Sequence, residues 1–167
     1  SGYIYRPNTS IPVGVVFDDG KPRTEFFDNT APEARLYKSL EAAFGNETPY
    51  ITSMTTDGRL ALVQTYSDRN PGDFYVYDTV AKKADHVISR ATWFDPEKMA
   101  EMRPVALKAR DGLQLKGYLT VPHGSAAKNL PLVVLPHGGP FGALDTWGFD
   151  GDNQMLASAG YAVLQIN

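Results

Sequence analysis

Apolar and polar positions alternate along most of the first ninety residues, and short polar turns interrupt them. VGVVFDDG (13–20) and RTEFFD (23–28) flank Gly20-Lys21-Pro22, which predicts a hairpin. The period changes at APEARLYKSLEAAFG (31–45). There Leu36, Leu40, Ala43 and Phe44 share one helical face, Pro32 sits near the start and Gly45 suits a C-terminal cap. Strands resume at PYITSMT (49–55), RLALVQTYS (59–67) and DFYVYDT (73–79), separated by TDG and DRNPGD, both turn chemistry. DHVIS (85–89) closes a predicted four-stranded antiparallel unit, a spacing suited to a propeller blade or a sandwich.

The pattern shifts between residues 90 and 103. ATWFDPEKMAEMRP reads as a linker with one helical turn after Asp95-Pro96. PVALKARDGLQLKGYLTVP then predicts two strands about the turn Arg110-Asp111-Gly112, followed by the apolar strand LPLVVLP (130–136). From Asp150, an N-cap candidate, to Gly160 the expectation is a helix burying Met155, Leu156 and Ala159. YAVLQIN (161–167) is a second wholly apolar strand. A helix joining two such strands predicts a parallel pair buried on both faces. The expected organisation is therefore antiparallel β before residue 100 and α/β after it. Because the chain ends inside that last strand, the α/β part is expected to be truncated, with an unpaired edge.

Composition narrows the function classes. The 167 residues are 43% hydrophobic and 21% charged, with a formal net charge of −3 and a pI near 5.5, a soluble globular mix. Without clustered Lys and Arg, no nucleic-acid partner is expected. No stretch reaches the roughly 18 apolar residues of a membrane span. No cysteine is present, which excludes disulfides, thiolate zinc sites and a cysteine nucleophile. The three histidines are scattered without metal-ligand spacing, and no metal or cofactor is expected. The start at Ser1 leaves the compartment open: cytoplasmic, or periplasmic or secreted if a signal peptide has been removed.

The sharpest chemical signal is His137-Gly138-Gly139-Pro140, at the carboxyl end of the predicted strand 130–136. Two glycines there let a backbone N–H approach a developing oxyanion, the role of the HGGG-type loop of α/β-hydrolases. A tight strand-to-loop turn is the plainer alternative. His137 precedes any place for a nucleophile, against the order Ser, acid, His, so it is read as bracing the loop. His86 and His123 are read as packing or solvated. The nearest approach to a G-x-S-x-G elbow is Leu156-Ala157-Ser158-Ala159-Gly160, which has Leu in place of the first glycine and ends a helix. Ser125 lies in a surface loop. Asp18, Asp19, Asp145, Asp150 and Asp152 are expected to cap or be solvated. Trp147, Phe149 and Phe141 could line a cleft or pack beneath the loop.

MRPVALKARDGLQLKGYLTVPHG and LPLVVLPHGGPFGALDTWGFDGDNQMLASAGYAVLQIN resemble the start of the catalytic domain of the prolyl oligopeptidase family, in its acylaminoacyl-peptidase and dipeptidyl-aminopeptidase-like branch. TTDGRLALVQTYSDRNPGDFYVYD is similar to that family's last propeller blades. The resemblance implies 1–92 as partial blades, 93–103 as a linker and 104–167 as the first part of an α/β-hydrolase domain. It also implies a serine peptidase acting on short peptides through a Ser-Asp-His triad. Gly139 then matches the oxyanion-hole glycine, with His137, Gly138 and Pro140 shaping its loop. The nucleophile, acid and base are expected beyond Asn167, so the chain alone is expected to be inactive and to self-associate or to bind its missing remainder. An esterase or lipase, and a non-catalytic β-rich interaction module, are the competing readings.

Overall fold

The computed structural model describes residues 2–167. Its elements are β1 (Gly2–Tyr5), β2 (Pro12–Phe17), β3 (Arg23–Phe26), α1 (Pro32–Phe44), β4 (Thr48–Met54), β5 (Leu60–Tyr66), β6 (Asp73–Asp78), β7 (Lys83–Ser89), β8 (Glu101–Lys108), β9 (Gln114–Val121), β10 (Leu132–Val134), α2 (Gly151–Ser158) and β11 (Ala162–Ile166). Among the described residues the chain is thus mostly antiparallel β with two α-helices. It divides into two compact units: residues 2–67 with 71–93, and residues 68–70 with 94–167.

The first unit holds two antiparallel sheets, β1-β2-β3 and β4-β5-β6-β7. The second sheet is an up-and-down meander in chain order, the form of a propeller blade. Its turns follow from their residues. Asp57 accepts from the Thr55 hydroxyl (2.6 Å) and the Arg59 N–H (3.0 Å), and Asp78 accepts from the Val80 and Ala81 N–H groups (2.9 Å each). The helix α1 begins at Pro32 and ends before Gly45, whose φ of 62° favours glycine. Leu40 is fully buried against Ala61, Val63 and Tyr77, with Leu36 and Phe44 packed around them. Ala34 and Tyr37 are also buried, while Ala43 faces outward. The expected helical face is therefore rotated toward Tyr37. The strand β1 has no counterpart in the sequence reading.

The second unit is a four-stranded mixed sheet in the order β10-β11-β9-β8. The strands β10 and β11 are parallel, with Leu132 opposite Ala162 and Val134 opposite Leu164, while β11 runs antiparallel to β9. Gly117 in β9 makes that pairing possible, because a Cβ there would collide with the Gln165 carbonyl oxygen. The strand β8 begins at Glu101, inside the predicted linker, and a 3₁₀ turn covers Pro96–Lys98 as expected.

Two expectations for this unit are overturned. The parallel pair is not buried on both faces: Leu132 and Val134 of β10 are 55% and 57% exposed. The strand β10 forms one edge of the sheet, because β11 inserts between β10 and β9. The helix α2 buries a polar face. Asn153, Gln154 and Ala157 point inward, while Met155 is 63% exposed. The cause is hydrogen bonding. Gln154 Oε1 accepts from the Ala100 N–H (2.7 Å), and its Nε2 donates to the carbonyls of Asp68 and Ala100 (3.0 Å each). Asp68 in turn accepts from the Met102 N–H (2.7 Å), and the Trp147 indole N–H donates to the Met102 carbonyl (2.9 Å). A buried amide that satisfies three backbone groups holds its face as firmly as an apolar residue.

Replacing Gln154 by Leu should therefore destabilise the second unit by at least about 2 kcal/mol, since it strands buried backbone groups. Replacing Met155 by Gln should change stability by less than about 0.5 kcal/mol. Urea unfolding of the two variants checks this, and the reverse ranking would contradict the polar face.

Candidate functional site

The glycine loop leaves the sheet at its parallel pair. The Leu135 N–H donates to the Leu164 carbonyl (2.9 Å), which ends the pairing of β10 with β11. Residues 136–144 then run without regular structure, and His137, Gly138, Gly139 and Pro140 are all exposed. A Cβ at Gly138 or Gly139 would meet no atom within 4 Å. Nothing within the chain itself therefore demands glycine at either position, and the backbone is open to a ligand. His137 Nδ1 lies 2.6 Å from the Gly138 carbonyl oxygen and so donates to it. The Gly139–Pro140 peptide is cis.

The aromatic residues near the loop divide. Trp147 is buried with its indole N–H on the Met102 carbonyl, Phe149 packs at a tilt against Phe94 with ring centroids 4.8 Å apart, and Phe141 is 95% exposed. The loop closes onto a polar cluster at the end of β11. The Asp145 N–H donates to Asn167 Oδ1 (2.8 Å), and Asn167 Nδ2 donates to the Asp145 carbonyl (2.9 Å). Gln165 Nε2 donates to Asp145 Oδ1 (2.9 Å), and Asn153 Nδ2 donates to Gln165 Oε1 (2.6 Å). Asp150 caps α2 by accepting from the Asn153 N–H (2.9 Å), as expected. Asp145 was expected to cap or be solvated and does neither. Its Oδ2 is buried with no hydrogen-bond partner among the described residues, as is Asn153 Oδ1. Burial holds the Asp145 carboxyl above the ordinary carboxylate range; a positive charge on His137 works against this and the negative charge of Asp150 with it.

The serines singled out by sequence are engaged locally. Ser158 Oγ donates to the Met155 carbonyl (2.7 Å) at the end of α2, and Ser125 Oγ accepts from the Ala127 N–H (3.1 Å). His123 is exposed in a turn. One constellation escaped the sequence reading, because only strand register brings it together. His86 Nε2 lies 3.1 Å from Ser89 Oγ and 3.3 Å from Asp73 Oδ1. The residue types are those of a hydrolytic triad, but serine and carboxylate share one ring nitrogen. A triad needs the acid on one nitrogen and the serine on the other, so this trio cannot relay a proton. The Tyr75 ring meets the His86 imidazole edge-on at 5.3 Å, which fixes it as a surface packing group.

A cavity of about 580 Å³ lies in the first unit, lined by Tyr3, Tyr5, Tyr37, Tyr50 and the Arg6–Glu33 ion pair (2.7 Å). The glycine loop is not part of it, so its size carries no argument about the loop's chemistry. Among the described residues no cluster of His, Asp and Glu could hold a metal ion, and no helix is long and apolar enough to cross a membrane.

The raised pKa of Asp145 gives a signed prediction. An acid whose folded pKa lies above its unfolded value favours folding while protonated, and that contribution is lost as pH rises through the folded pKa. Asp145→Asn removes the buried charge and keeps an acceptor for Gln165. It should be more stable than the wild type at pH 7, with the difference shrinking as pH falls through the raised folded pKa and gone below about pH 4. Denaturant unfolding across this pH range checks the sign, and a variant less stable at pH 7 would contradict it.

No protein-family model matches the chain. Over 124 residues, 70% of the chain, it is 34% identical to dipeptidyl aminopeptidase BIII of Pseudoxanthomonas mexicana, of which it spans 18%. The structure of puromycin hydrolase superposes with a TM-score of 0.54 at 26% identity, over 74% of this chain and 19% of that one. Oligopeptidase B from Trypanosoma brucei shares the fold over 86% of the chain, with a TM-score of 0.55 at 16% identity, and is likewise covered over 19% of its length. The chain spans 18% of the length of the curated relatives it matches. In sequence and in fold, the chain is similar to a segment of peptidases of the prolyl oligopeptidase family.

Proposed function

We propose that this chain is the segment of a serine peptidase that carries one half of the oxyanion hole. In this reading, residues 1–92 are the last propeller blades, 93–103 the linker, and 104–167 the first strands of an α/β-hydrolase domain. The observation that carries the reading is the placement of His137-Gly138-Gly139-Pro140 directly after β10, at the carboxyl end of a parallel pair. Ligands approach parallel strands from that end. The 34% identity to a dipeptidyl aminopeptidase supports a peptide as substrate.

The mechanism is acyl transfer. A serine attacks the scissile carbonyl with a histidine as general base, and the N–H of Gly139 donates to the oxygen as it takes on negative charge. The N–H next to the serine supplies the second donor. His137 braces the loop through the Gly138 carbonyl, and Pro140, which has no N–H, shapes it. Among the described residues no triad forms: Ser158 and Ser125 are engaged locally, and the Ser89, His86, Asp73 trio lacks relay geometry. The chain alone is therefore inactive. The exposed apolar edge at Leu132 and Val134 favours its self-association.

In the full-length peptidase, Gly139→Pro removes the proposed donor and should lower kcat on a peptide anilide by roughly 10²- to 10³-fold. Gly139→Ala keeps the N–H, and its Cβ meets no atom within 4 Å; it serves as the folded control. An unchanged kcat in the proline variant would overturn the assignment.

A further inference from the structure

The donors of the glycine loop hang between two anchors on one strand. At the near end, the Leu135 N–H is bonded to the Leu164 carbonyl of β11. At the far end, Asp145 is held three times: its carboxylate by Gln165 of the same strand, and its N–H and carbonyl by Asn167 directly after that strand. Between these anchors, no backbone hydrogen bond among the described residues joins 136–144 to the rest of the unit. The shape of that arc, and the direction in which its N–H groups point, is set by where its ends are tied.

The far anchor is itself braced. Gln165 is buried and fixed in rotamer by Asn153, which is 1% exposed. Asn153 lies on α2, whose N-cap is Asp150. The chain of contacts therefore runs from the helix through two buried amides to the loop. A carboxylate is a costly choice for this place, because Asp145 Oδ2 is buried without a partner among the described residues. Stability alone does not account for it; local rules broken in this way mark residues retained for a site.

We propose that Asp145 is a positioning residue for the oxyanion-hole loop: through Gln165, Asn153 and Asn167 it sets the orientation of the Gly138 and Gly139 N–H groups. This rests on the reading of that loop given above. Asp145 touches neither substrate nor reacting atoms in this account. Its loss leaves the donors present but misdirected, an error that costs the transition state more than the bound substrate.

The test uses the full-length peptidase and a peptide anilide. Asp145→Ala should lower kcat roughly 10- to 100-fold while KM stays close to the wild-type value. Affinity for a peptidyl boronate, which places an oxyanion in the hole, should fall in parallel. Asp145→Asn, which keeps the acceptor for Gln165, should restore most of both. If Asp145→Ala does not fold, Gln165→Met removes the same contact from the strand side and should give the same split. A wild-type kcat and boronate affinity in the Ala or Met variant overturns the inference while the wild-type enzyme still cleaves the anilide. A rise in KM at constant kcat overturns it equally. Failure of the wild-type enzyme itself to cleave the anilide or bind the boronate overturns both this inference and the reading beneath it.

Discussion

The parallel pairing of β10 with β11 is the constraint from which the site follows. Three residue pairs, Leu132 to Val134 against Ala162 to Leu164, fix where the chain leaves the sheet and in which direction. The Leu135 N–H closes the last rung, and the glycine loop starts one residue later. The pairing exists because α2 returns the chain to the same edge, and α2 is seated by amides and not by a hydrophobic stripe. Gln154 satisfies backbone groups of Asp68 and Ala100, and Asn153 reaches Gln165. The polar face that seats the helix also braces the strand from which the loop hangs.

This arrangement divides the labour between the two kinds of residue. Apolar burial decides that the sheet forms: Val163 is fully buried, and Tyr118 and Val121 nearly so. Directional hydrogen bonds decide how its carboxyl end is shaped. Burial alone would tolerate slippage of the loop, whereas Asp145, tied to Asn167 and Gln165, specifies one position for it. The meander of the first unit needs no such device. Its Asp57 and Asp78 turns are local, and its core is carried by Leu40, Val63 and Tyr77.

Much of this was legible in the sequence wherever local chemistry decides the outcome. Period-two strands with Asp, Gly and Pro turns announced β4 to β7, and Pro32 with Gly45 bounded α1. The glycine loop could be placed because an apolar run stops at His137. What was not legible depends on partners distant in sequence. The inward face of α2 was misread because hydrophobic period cannot see a buried Gln154 whose partners lie 54 and 86 residues away. An apolar run promised a doubly covered β10, yet strand order leaves it at an edge. Asp145 looked like any loop aspartate until Gln165 and Asn167 were seen across from it. The Ser89, His86, Asp73 trio shows the converse: register gathers the residue types of a triad on a single ring nitrogen, where they cannot act as one.

The central claim is that the Gly139 N–H faces a developing oxyanion. The most direct measurement is a crystal structure of the full-length protein with a peptidyl boronate bound at the proposed nucleophilic serine. The account predicts a boronate oxygen within about 3 Å of the Gly139 nitrogen, with Asp145 still bonded to Gln165. A boronate oxygen held by other donors, with the Gly139 N–H turned away, would contradict it.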